Sequence, residues 1–184
     1  MPASATRPPP LSFSHFGFFV RDLERMVDFY TRVLGFAVSD RGELGAMSLA
    51  FLTRDPRDHH QIVLVSGRPN EPGFNPINQI SFRMESFSGL REMHRLLQQE
   101  KGVSEISPVS HGNALSVYFR DPEANRIELF VDTPWYVVQP MRIPMDMSLS
   151  DEALWSWAEK SARELPGYKP VEDWRADIAR RLTQ

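Results

Sequence analysis

The chain has 184 residues, of which 41% are hydrophobic and 24% charged, with a formal net charge of −3. A charge this small and this evenly spread lacks the footprint of a nucleic-acid or anionic-membrane binder, and no apolar run reaches membrane-spanning length. Cysteine is absent, which excludes disulfides, thiolate metal sites, iron–sulfur clusters and cysteine nucleophiles, so any metal must be held by His, Asp, Glu or amide oxygen.

The opening MPASATRPPP (1–10) lacks the hydrophobic stretch of a secretion signal and reads as a disordered, Pro-rich arm, with a cytoplasmic location as the expectation. LSFSHFGFFVRD (11–22) alternates and is rich in Phe, as a strand is. Asp22 can cap the following helix, in which Leu23, Met26, Val27, Tyr30 and Leu34 recur at helical spacing before Gly35 ends it. FAVSDRG, AMSLAFLTRD and HHQIVLVSG then give three strands, completing a first βαβββ module over 11–67. A Gly/Pro/Asn linker without periodicity occupies 68–76.

The order then repeats over 77–132. INQISFRME is a strand, SFSGLREMHRLLQQEKG a helix with Leu90, Met93 and Leu97 on one stripe, and ISPVSHG, ALSVYFRDP and ANRIELFVD are three more strands. The predicted fold class is therefore α+β, with two βαβββ modules joining into one curved mixed sheet whose convex side is covered by helices. Residues 133–184 form a C-terminal extension: a Pro-interrupted segment carrying Trp135 and Tyr136, then helices in SLSDEALWSWAEKSARELPG and VEDWRADIARRL.

Strand side chains alternate between faces, so parity sorts the residues. Phe16, Phe18 and Val20 share the side that suits packing on a helix, while Phe13, His15, Gly17 and Phe19 share the other. Ile127, Leu129 and Val131 oppose Arg126, Glu128 and Phe130, and Leu115, Val117 and Phe119 oppose Ser116 and Tyr118. A carboxylate on an otherwise apolar strand needs a cation, a set of hydrogen bonds or a metal. Taken singly, Glu128 suits an ion pair with Arg126, His15 a satisfied core histidine and His60 a solvent-facing turn residue. Their occurrence together changes those odds.

HFGFFVRDLERMVDFYTRVLGF, HHQIVLV, HGNALSVYF and DPEANRIELF, with the spacing between them, resemble the vicinal-oxygen-chelate superfamily, and within it the single-domain type I extradiol (catechol 2,3-) dioxygenases. The resemblance implies metal ligands at His15, His60 and Glu128, the His/His/carboxylate facial set of non-haem Fe(II), with Mn(II) as the alternative ion. His60 fits this role better than its neighbour His59, which either supports the ligand strand or is simply exposed. The pseudo-symmetric fourth ligand position falls on Gln79, a poor ligand for Fe(II), and this favours oxygen chemistry over glyoxalase chemistry. The implied reaction inserts O2 into a catechol-type diol and opens its ring to a semialdehyde. His111 and Tyr118 match the family's proton-handling His and Tyr. Trp135 and Tyr136, a few residues past the ligand strand, are candidates either to contact the substrate ring or to dock the tail.

Two departures stand out. No histidine lies between 16 and 58, where the larger family has another active-site His, and the usual Gly of the DPxGN turn is Ala124. The competing readings are a glyoxalase-like or fosfomycin-resistance-type metalloenzyme and a non-catalytic binding module of the bleomycin-resistance type. The expected partners are a small aromatic diol and O2, with neither nucleic acid nor membrane, and an exposed curved sheet suits a homodimer.

Overall fold

The structure is a computed structural model that describes residues 12–71, 73, 75 and 77–182. The Pro-rich arm at 1–10 lies outside the described residues. The chain divides into two compact units, Met1–Gly73 and Phe74–Gln184. Among the described residues no helix is long and apolar enough to cross a membrane.

In the first unit the order is β1 (Phe16–Val20), α1 (Leu23–Asp28), a π-helical turn (Phe29–Val33), β2 (Ala37–Leu44), β3 (Met47–Thr53) and β4 (Ile62–Ser66). The strands lie in the order β1-β4-β3-β2, with β1 parallel to β4 and the other pairs antiparallel. Asp22 caps α1 as its spacing predicts, accepting a hydrogen bond from the Arg25 amide at 3.0 Å. The helix widens in its last turns, and the π geometry carries both Phe29 and Tyr30 into the core, 1% and 0% exposed. Phe18, Val20, Met26, Val27, Leu52, Ile62 and Leu64 complete that core, so the predicted inward parity of β1 holds. Phe13 and Phe19, on the opposite parity, are exposed.

The second unit contains β5 (Ile80–Arg83), α2 (Phe87–Leu97), β6 (Ser104–Ser110), β7 (Ala114–Arg120) and β8 (Arg126–Asp132). The tail follows as β9 (Trp135–Tyr136), β10 (Ile143–Pro144), α3 (Asp151–Arg163), β11 (Lys169–Pro170) and α4 (Val171–Leu182). Its main sheet has the order β10-β6-β7-β8-β5, with β5 parallel to β8. The hydrogen-bond ladders therefore give each βαβββ module its own mixed sheet, and β10 of the tail extends the second one at the β6 border.

The tail is an integral part of the second unit. The Arg91 guanidinium on α2 donates to the Met147 carbonyl at 2.5 Å, the Leu149 carbonyl at 2.9 Å and the Asp151 carboxylate at 2.7 Å. One planar cation thus pins the start of α3, satisfying two carbonyls that precede the helix. Leu154, Ala158 and Ala162 form the buried stripe of α3.

Candidate metal and proton-transfer site

In the first unit the site is built by the parallel pairing of β1 and β4. Phe16 is in register with Ile62, and the Phe16 amide donates to the Gln61 carbonyl at 3.3 Å. This brings the residues just before the two strands together. His15 and His60 precede β1 and β4 by one and two residues rather than lying on them, and their ring centroids are 4.2 Å apart. The predicted pair is therefore assembled, at strand mouths where backbone pairing is ending.

Both imidazoles have their Nδ1 engaged by a neighbour. His15 Nδ1 lies 3.2 Å from the Ser14 hydroxyl and His60 Nδ1 lies 2.9 Å from His59 Nδ1. If Nδ1–H is the donor in each contact, each ring keeps a lone pair on Nε2, the arrangement that a second hydrogen bond imposes on a metal-binding imidazole. His59 is thus placed to orient His60, with Phe51 edge-on to both rings. The pKa of His60 is held below the ordinary histidine value, first by burial and then by the neighbouring His15 and His59, which favours the neutral, ligand-competent form.

In the second unit Glu128 is the centre. It is 7% exposed and sits mid-strand on β8, flanked in register by Ser81 on β5 and Tyr118 on β7. Its Oε2 accepts from the Ser81 hydroxyl at 2.6 Å and from the Gln79 amide at 3.0 Å, and Oε1 lies 3.7 Å from His111 Nε2. The expected ion pair with Arg126 does not form: that guanidinium lies over the Tyr118 ring, 4.3 Å from its centroid. Hydrogen bonds, not a neighbouring cation, hold the carboxylate. Ser81 is the partner that sequence reasoning passed over, although Gln79 and Ser81 share a parity opposite to Ile80 and Phe82.

His111 and Tyr118 are in contact, with Nε2 3.0 Å from the phenol oxygen. His111 Nδ1 lies 2.7 Å from the Met141 carbonyl, which can only accept, so Nδ1 carries a proton. In neutral His111 the Nε2 is then a lone pair facing Tyr118. The Tyr118 hydroxyl has one proton for two acceptors, Glu128 and His111. Burial, the hydrogen bond to Glu128 and its charge push Tyr118 up to about 12, with Gln79 and Arg126 pulling weakly the other way. The cluster is therefore a connected carboxylate–phenol–imidazole chain able to hold and pass a proton.

Trp135 and Tyr136 are taken up by the tail. Trp135 is 5% exposed with its ring 6.0 Å from Trp155 of α3, and Tyr136 stacks on Trp174 of α4 at 5.4 Å and 12°.

His15 and His60 belong to the first unit and Glu128 to the second. Among the described residues no group of three or more His, Asp or Glu side chains is gathered closely enough to hold a metal ion. The donor chemistry itself, two imidazoles and a carboxylate, fits a divalent transition metal.

Two curated relatives are informative. Biphenyl-2,3-diol 1,2-dioxygenase 2 of Rhodococcus globerulus is 25% identical over 182 residues, covering 84% of this chain and 93% of that protein. Biphenyl-2,3-diol 1,2-dioxygenase 3 of the same organism is 30% identical over 124 residues, covering 65% of this chain and 62% of that protein. Among solved structures, the glyoxylase/bleomycin resistance protein/dioxygenase domain from Frankia sp. EAN1pec superposes with a TM-score of 0.56 at 23% identity, over 68% of this chain and all of that one, a likeness of fold. Residues 12–129, which span both modules, match the family model of the Glyoxalase/Bleomycin resistance protein/Dioxygenase superfamily, and the chain belongs to that superfamily.

Proposed function

We propose that this chain is an Fe(II)-dependent extradiol dioxygenase, with Mn(II) as the alternative ion, that inserts both atoms of O2 into a catechol-type diol and yields a ring-opened semialdehyde. His15, His60 and Glu128 are its proposed metal ligands. When bound, such an ion offers open coordination positions to a diol and to O2 and couples their electrons. The observation that carries the reading is the pair of imidazoles with ring centroids 4.2 Å apart, each with Nδ1 within hydrogen-bond distance of a neighbouring side chain. The likeness to two relatives named as biphenyl-2,3-diol dioxygenases supports the substrate class.

The chain's own groups then have distinct tasks. His59 orients His60, while Gln79 and Ser81 orient the Glu128 carboxylate through hydrogen bonds at 3.0 and 2.6 Å. Gln79 acts here as a hydrogen-bond donor to the carboxylate through its amide nitrogen. His111, anchored through Nδ1, takes or gives a proton at Nε2. Tyr118 keeps its proton at neutral pH and donates a hydrogen bond to a substrate oxygen or to Glu128.

The test is direct. Chain purified without oxygen, loaded with Fe(II) and given catechol or 2,3-dihydroxybiphenyl in air is expected to consume O2 and turn yellow. His15→Ala, His60→Ala and Glu128→Ala should each lose at least about a hundredfold in rate and bind less Fe(II). Absence of O2 uptake across a broad panel of diols would overturn the reading.

A further inference from the structure

Beside Tyr118 the second unit carries a cavity of about 390 Å³, lined among others by Glu105, Ser107, Tyr118, Arg120, Arg126 and Arg142. Its charge is unbalanced. Arg120 donates to Glu105 at 2.9 Å, which neutralises one of the three guanidinium groups. Arg126 and Arg142 have no carboxylate partner among the described residues. Arg142 makes a hydrogen bond to the Ser107 hydroxyl at 3.1 Å, and both lie against the Tyr118 ring, at 4.3 and 5.5 Å from its centroid.

The backbone keeps this arrangement in place. Arg120 and Arg126 are direct cross-strand partners on β7 and β8, a like-charge pairing that an antiparallel ladder ordinarily disfavours. In β6 the register shifts between Ser104 and Ser107, and Glu105 adopts a left-handed φ of 51°. That bulge turns Glu105 towards Arg120 and leaves Arg126 uncompensated. A guanidinium lying over a ring can still turn N–H groups towards a carboxylate, which it matches in bidentate fashion.

We propose that Arg126 and Arg142 form an anion subsite that binds the carboxylate of an acidic aromatic substrate. Tyr118 links this subsite to the reacting end: its ring face lines the cavity and its hydroxyl reaches Glu128 and His111. The diol end of such a substrate rests on the dioxygenase reading above, whereas the anion subsite stands on the cavity alone. The predicted class is an aromatic ring bearing an acid arm.

Equilibrium binding to the full-length chain without added metal tests it, using phenylacetate, its neutral amide phenylacetamide, and inorganic phosphate. Phenylacetate is expected to bind about tenfold more tightly than phenylacetamide. Arg142→Gln, at an exposed position, and Arg126→Gln should each remove most of that difference while leaving phenylacetamide binding unchanged, and Arg142→Lys should restore part of it. Equal binding of acid and amide, variants with wild-type affinity for phenylacetate, or binding of phosphate without phenylacetate would each overturn the proposal. None of these readouts uses ring cleavage, so a failed oxygenase assay and a failed anion subsite are told apart.

Discussion

The Tyr118 phenol is pushed up to about 12, so it remains protonated two units beyond an ordinary tyrosine. The neutral form is the one the fold prefers. Its contribution is fully present below pH 10, where an unfolded tyrosine is protonated too, and is lost as pH rises through 12. That contribution fades over this window. The wild-type minus Tyr118→Phe difference spectrum should show a tyrosinate transition centred near 12, and the variant should lack this part of the alkaline loss. A transition near 10 would place the hydroxyl in water. At this scale the parity of ALSVYF and ANRIELF made Tyr118 and Glu128 legible as neighbours on one face. The carboxylate's own partners were not legible, because Ser81 and Gln79 reach it across the β5–β8 pairing from 47 and 49 residues away.

The turn joining β7 to β8 shows what a single element costs and how it is held. Asp121 is 2% exposed, and its Oδ1 accepts from the amides of Glu123 and Asn125 at 2.9 and 2.8 Å, while Oδ2 accepts from the Asn125 side chain at 2.8 Å. These bonds close the turn with Ala124 at φ 64°, a left-handed conformation that its Cβ resists. Ala124→Gly should therefore stabilise the protein by about 1 kcal/mol, read as a rise in Tm of a few degrees. A fall in Tm would show that the unfolded chain gains more from the added freedom. The DPEAN motif marked this turn in advance, and helical and two-residue periodicities marked β1 to β8 and the four helices. The short pairings β9–β11 and β10–β6 escaped notice because two residues carry no period.

Across the whole molecule the two modules repeat one pairing rule: the first strand of each lies parallel to its last, β1 with β4 and β5 with β8. The residue just before the first strand is His15 in one copy and Gln79 in the other. The repeat does not treat its borders alike. β2 forms one border of the first sheet and all eight of its residues are exposed, with Asp40, Arg41 and Glu43 among them. Charges of this kind discourage a neighbour from docking there. The corresponding border of the second sheet is the bulged strand β6, and the tail lays β10 along it, pairing Ile143 with Ser110 and Pro144 with Val109. Pro144 has no amide hydrogen to offer a further strand. A chain cut after residue 132 would leave the β6 backbone bare and should scatter light as it clumps, at concentrations where the intact protein stays clear.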